Sequence, residues 1–151
     1  MTDPTDRSLT TGRRRSGVVA ARLLSLLLFT TGTWHFVRPH GFESIVPRFL
    51  GDPAIWVQAS GVAELACAAA LAARPTRRAG GLATAVLFVL VFPANVQMAL
   101  DSGGSDTDML HSPVIAWARL PLQIPLIAWA VYIARAARRE AAASGHPAVS
   151  P

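Results

Sequence analysis

Two ionisable side chains, Glu64 and Arg119, lie inside long apolar runs of the sequence, and two amides, Asn95 and Gln123, lie in runs of the same kind. A charged group at membrane depth is costly, and it usually faces a partner or a cavity within a helix bundle. A carboxylate, a guanidinium and two amides at similar depth can bind a polar ligand or hold a proton. The sequence therefore predicts a buried polar site.

The depths of these four residues follow from the helical rise of about 1.5 Å per residue. Counted from Ala54, Glu64 lies roughly 15 Å below the predicted outer surface, and Gln123 has a similar depth. Arg119 lies about one helical turn nearer the outside, at the level of Asn95. We expect two layers, Glu64 with Gln123 and Arg119 with Asn95, joined by an ion pair between Arg119 and Glu64.

Two further polar residues extend this candidate site. Ser60 shares the face of Glu64, and His35 follows Thr31 by one turn near the outer end of the first apolar run. We expect His35 to line the mouth of a cavity that opens outward. Glu64 is the candidate proton relay, whereas Arg119 and Gln123 are candidates for hydrogen bonds to a ligand carbonyl. The same polar groups can instead tie helices together, and both interpretations remain open here.

The elements that must position these residues are four apolar runs, each long enough to cross a hydrocarbon core as a helix. The composition agrees, with 52% hydrophobic residues, 15% charged residues and a mean hydropathy of +0.37. We therefore predict an all-α fold, a bundle of four transmembrane helices in one domain over residues 17–135. The predicted helices are 17–37, 54–73, 79–100 and 114–134, and the disordered tails are 1–16 and 136–151.

The distribution of arginine predicts the orientation. All 14 basic residues are arginine. Apart from Arg119, only Arg38 and Arg48 lie in the predicted outer loops, so the positive-inside rule places both termini in the cytoplasm. The basic residues are divided among loops and tails, so the pI of 11.2 indicates no nucleic-acid partner. The expected location is the cytoplasmic membrane, with several passes through the lipid bilayer.

Short segments along the four runs resemble the DoxX-like family of small membrane proteins, over roughly residues 22–134. The segments are His35-Phe36, Ile45-Val46-Pro47, Ser60-Gly61-Val62-Ala63-Glu64, Phe92-Pro93-Ala94-Asn95 and Arg119-Leu120-Pro121-Leu122-Gln123. The resemblance implies a four-helix bundle in a bacterial cytoplasmic membrane. It also implies a quinone-associated redox subunit, with quinone at the polar cluster and either a redox partner protein or a homo-oligomer.

Other function classes stay open, namely a non-catalytic structural or partner subunit of a membrane complex and a transporter of a small solute. Haem is not expected, because His35 is the sole histidine predicted inside a helix and two facing histidines are a common axial pair. A bound metal ion is not expected either, because the same shortage of histidine ligands inside the helices applies. Cys67 is the only cysteine, so the chain has no internal disulfide and no Cys-x-x-Cys pair. Whether the chain catalyses a reaction stays open.

Overall fold

The computed structural model describes residues 4–102 and 112–144, and over these ranges it contains helices and no strand. The helices are α1 (Pro4–Val37), α2 (His40–Glu43), α3 (Pro53–Ala72), α4 (Arg77–Asp101) and α5 (Pro113–Ser144), with a 3₁₀ turn at Arg48–Leu50. Four of them, α1, α3, α4 and α5, contain segments long and apolar enough to cross a membrane. The predicted all-α class with four membrane helices is confirmed, and the chain is a multi-pass integral membrane protein.

Local chemistry sets the ends of α3. The Asp52 carboxylate accepts a hydrogen bond from the Ala54 backbone N–H at 3.0 Å, and Pro53 occupies the first helical position. At the other end, the Arg77 guanidinium donates from Nε to the Leu71 carbonyl at 3.1 Å and from Nη2 to the Ala72 carbonyl at 3.2 Å. These bonds satisfy carbonyls that the end of a helix leaves without partners.

The four long helices form a closed ring. Helix α1 packs against α3, α3 against α4, α4 against α5, and α5 back against α1, so α3 and α5 lie diagonally opposite. Two glycines at the start of α4 permit the closest approaches. A Cβ added at Gly80 would lie 2.8 Å from the Ala70 backbone, and one at Gly81 would lie 2.9 Å from the Ala130 carbonyl oxygen. Only glycine fits these positions without displacing a neighbouring helix.

The buried residues form two layers along the bundle. We call the end that carries α2 the outer end, and the end that carries the α3–α4 turn the arginine-rich end. Leu24, Leu28, Leu71 and Ile133 anchor the larger apolar cluster, and a smaller cluster at the outer end includes Met98. Large apolar side chains cover the outside of the bundle, as lipid contact requires, including Leu26, Leu90, Val114 and Ile124.

The helices of the structure are longer than the predicted ones at two places. Residues 4–16, predicted to be a disordered tail, form the first turns of α1, and α5 continues to Ser144 instead of ending near residue 134. The added part of α5 is rich in alanine and arginine, which favour helices, and it packs on α1, where Gly17 faces Ala136 and Glu140. The predicted tail residues 1–3 and 145–151, and most of the predicted outer loop 101–112, lie outside the described residues.

Candidate functional site: two polar clusters

Glu64 lies halfway along α3, on the face that packs against α1. This face also carries Gly61, Ala68 and Leu71, all of them buried. Gly61 allows the approach, because a Cβ there would lie 2.9 Å from the His35 Cβ. The sequence places a carboxylate on a packed face because small neighbours one turn away on either side leave room for it.

Thr31 on α1 provides the shortest contact of this carboxylate. The Thr31 Oγ1 hydroxyl donates a hydrogen bond to Glu64 Oε2 at 2.5 Å, within the range of charge-assisted O–H···O⁻ bonds. The same hydroxyl lies 3.1 Å from the Leu27 carbonyl oxygen. Thr31 therefore has a second acceptor for its proton when Glu64 carries a proton of its own.

His35 completes the cluster from one turn further along α1. Its Nδ1 lies 2.8 Å from the Thr31 carbonyl oxygen, and a carbonyl only accepts, so Nδ1 carries a hydrogen. Its Nε2 lies 4.0 Å from Glu64 Oε1. The two side chains are 9% and 13% exposed, so water reaches little of either. We call Thr31, His35 and Glu64 the ionisable cluster.

This geometry gives the ionisable cluster two positions for one proton. In one, His35 is charged on Nε2 and faces an ionised Glu64 that accepts from Thr31. In the other, His35 is neutral and Glu64 donates its own proton to Thr31, which then donates to the Leu27 carbonyl. The two states differ by the position of one proton, so the cluster can hold a proton within the membrane-spanning part of the bundle.

The outer side of the ionisable cluster is covered by an aromatic ring. Phe42 of the short helix α2 stacks on His35 with ring centroids 4.0 Å apart and an angle of 16° between the planes. A charged imidazole is favoured against the face of an aromatic ring. The sequence placed His35 at the mouth of an outward-opening cavity, whereas the structure buries it beneath Phe42. Nothing in the sequence pattern indicates this stacking, because α2 is a single turn within a loop.

A second polar cluster lies between α4 and α5. Asn95 Nδ2 donates to Gln123 Oε1 at 2.6 Å, and Gln123 Nε2 donates in turn to the Phe88 carbonyl. Gln123 is 4% exposed. Pro93 has no N–H to donate to the Val89 carbonyl, which is next to the Phe88 carbonyl that Gln123 reaches. We call Asn95, Gln123 and the Phe88 carbonyl the amide cluster; it contains no titratable group.

Arg119 does not pair with Glu64, so the predicted ion pair is wrong. Its Nη1 lies 3.4 Å from the Met98 sulfur, and Glu64 faces His35 and Thr31 instead. The reason is the diagonal placement of α3 and α5, since Glu64 faces α1 whereas Arg119 faces α4. The expected layers are wrong as well, because Asn95 bonds to Gln123 and not to Arg119.

The structure therefore divides the candidate site that the sequence predicted. Glu64 and His35 come together, with Thr31 added, and Asn95 and Gln123 come together separately. Ser60 is half-buried one turn from Glu64, and its hydroxyl has no side-chain hydrogen bond within residues 4–102 and 112–144. The contact between Thr31 and Glu64 was missed, although the four-residue spacing of Thr31 and His35 indicated their common face.

Comparison with known proteins gives one match. A family model described as a domain of unknown function, DUF8561, matches residues 24–134. No curated protein and no solved structure matches the chain. The matched range contains both polar clusters, the whole of α3 and α4 and parts of α1 and α5, and it ends before the arginine-rich last turns of α5.

Proposed function

The chain belongs to the DUF8561 family of domains of unknown function, and we propose that it is a membrane subunit that binds a quinone and exchanges a proton with it at the ionisable cluster. The observation that supports this most is the buried contact between His35 and Glu64 within the membrane-spanning part of the bundle. Intramembrane ionisable residues usually mark a ligand or proton pathway.

Quinone chemistry matches what such a pair can do. Reduction of a quinone to a quinol consumes two electrons and two protons, and the hydrocarbon core supplies no water to deliver the protons. Because Nδ1 of His35 is engaged by the Thr31 carbonyl, Nε2 is the position that gains or loses a proton. In this proposal, His35 Nε2 gives the one proton that the cluster holds to a quinone oxygen, and Glu64 takes up a second proton from the aqueous side and returns it to His35 Nε2 for the second transfer. A redox partner protein supplies the two electrons.

The setting of this reaction follows from the resemblance to DoxX-like proteins and from the distribution of arginine. We place the chain in a bacterial cytoplasmic membrane with both termini inside, next to a redox partner protein that supplies the electrons. Gln123 was predicted to donate a hydrogen bond to the ligand carbonyl. We assign that bond to His35 instead, because the Gln123 amide already bonds to Asn95 and to Phe88. Arg119 contacts Met98 on the α4 side of α5, so it takes no part at the ionisable cluster in this proposal.

The test is a quinone assay on protein purified into nanodiscs from its native host. We expect quinone to be enriched with the wild-type protein and reduced to the lipid background in Glu64→Gln. Glu43→Gln is the matched control, because it removes a carboxylate paired with a histidine in the outer segment. Quinone at background level in all three proteins, or equal enrichment in all three, would contradict the proposal.

A second candidate, a structural subunit of a membrane complex, is favoured by the amide cluster. The bonds from Asn95 to Gln123 and from Gln123 to Phe88 join α4 and α5 without any group that titrates. Interhelical bonds of this kind commonly stabilise membrane bundles. If Glu64→Gln lowers the thermal stability of the bundle and leaves its quinone content unchanged, the ionisable cluster is structural too.

A further inference from the structure

A cavity of about 120 Å³ lies at the arginine-rich end, far from both polar clusters. It is bounded by the α3–α4 turn on one side and by the last turns of α5 on the other, and its walls are Arg74, Arg77, Ala137, Glu140 and Ala141. Two guanidinium groups and one carboxylate thus line one space, with small alanine side chains between them. The charges leave it net positive.

Arg77 is the most informative residue of this cavity, because it is only 7% exposed. Its Nε and Nη2 donate to the carbonyls at the end of α3. Among the side chains and backbone groups that the structure describes, none accepts a hydrogen bond from its Nη1. Buried donors of a charged group are costly when they lack an acceptor. The Arg77 side chain therefore calls for an acceptor from outside the chain.

Arg74 brings a second guanidinium to the rim of the cavity. It is exposed, and within the described part of the chain no hydrogen bond or ion pair engages its side chain. Guanidinium groups match the oxygens of a phosphate in geometry and charge. The two positively charged side chains repel each other, whereas both can bind the same phosphate group.

The position of the cavity along the bundle indicates the source of the phosphate. Helix α3 ends at Ala72 and α4 begins at Arg77, so the cavity lies where the helices leave the hydrocarbon core. Lipid phosphates lie at this level, and basic pockets between membrane helices bind anionic headgroups there. We infer that the cavity binds the phosphate of an anionic phospholipid headgroup.

Native mass spectrometry of the detergent-purified protein, titrated with phosphatidylglycerol, tests this binding. Arg74→Gln is the main variant, because its side chain caps no helix, whereas Arg77→Gln also removes the bonds that close α3. We expect Arg74→Gln to weaken binding about fivefold, as removal of one arginine near a lipid surface does. Arg78→Gln is the matched control, since Arg78 is exposed in the same turn and does not line the cavity.

Glu140→Gln sharpens the test with the opposite sign. Removing the carboxylate from the wall should strengthen phosphatidylglycerol binding by a few fold, because one repulsive charge is lost. An equal loss in Arg74→Gln and Arg78→Gln would overturn the inference, since general attraction to the basic end would explain it. If millimolar inorganic phosphate displaces the lipid, the lipid is not the source of the bound phosphate, and the cavity is a site for a soluble anion.

Discussion

The ionisable cluster and the amide cluster are both buried, polar and placed between neighbouring membrane helices, yet they differ in what they can do. The amide cluster uses its polar atoms in one fixed chain of hydrogen bonds that has no alternative protonation state. The ionisable cluster has two arrangements that differ by the position of one proton. Burial of a polar cluster alone therefore does not indicate function, whereas the ability to hold a proton at two positions does.

The largest expected difference concerns ligand binding. In a titration of purified protein with a short-chain quinone, Glu64→Gln and His35→Phe should each weaken binding at least about tenfold, because a charge-assisted hydrogen bond is lost. Gln123→Leu should change the affinity less than about twofold, since its partners belong to α4. An equal loss in all three variants would end the distinction between the clusters.

Stability should respond in the opposite pattern. Gln123→Leu leaves the Asn95 amide without its acceptor and removes the bond to the Phe88 carbonyl, and we expect the free energy of unfolding to fall by about 1–2 kcal/mol. Adding Asn95→Leu should recover part of that loss, because the unpaired donor is removed as well. Reversible unfolding in mixed micelles measures both. Strict additivity of the two substitutions would show that the amides do not interact in the membrane.

A smaller effect is expected at the cover of the ionisable cluster. Phe42→Ala removes the ring that stacks on His35, and it should lower the free energy of unfolding by about 1 kcal/mol. Hydrogen–deuterium exchange at the His35 ring carbon should become faster, because water gains access from the outer end. Phe49→Ala is the control, since Phe49 is exposed in the same outer segment. Unchanged exchange in Phe42→Ala would show that the stacking does not shield His35.

The smallest effect concerns the pair that the sequence predicted and the structure does not contain. Because Arg119 contacts Met98 and Glu64 contacts α1, Glu64→Gln and Arg119→Gln should affect stability independently, with a coupling energy below about 0.5 kcal/mol. A double-mutant cycle in detergent measures it. A coupling of more than about 1 kcal/mol would indicate that the two charges interact in solution.

The sequence predicted the number, order and apolar character of the helices, because hydrocarbon thickness fixes their length. It also predicted that Glu64, Asn95 and Gln123 lie within them. It did not predict which helices face one another. The depth of a residue follows from counting, whereas the direction of Glu64 toward α1 depends on Gly61 and on the order of the ring.

The extra length of α1 and α5 shows a second limit. Threonine, aspartate and arginine in residues 1–16 are typical of a disordered tail, and the prediction for 136–151 rested on the alanine, serine, glycine and proline of the chain end. In the structure, α5 continues because Ala136 and Glu140 have a surface on α1 to pack against. Tertiary contacts of this kind override a local preference that is itself weak.

The measurement that tests the central claim most directly is an infrared difference spectrum of the quinone-loaded protein in nanodiscs, recorded on electrochemical reduction. If the ionisable cluster passes a proton to the quinone, the wild-type spectrum will contain carboxyl or imidazole bands that disappear in Glu64→Gln and persist in Gln123→Leu. A spectrum with no such bands, or with the same bands in Glu64→Gln, would contradict a proton-exchanging role for His35 and Glu64.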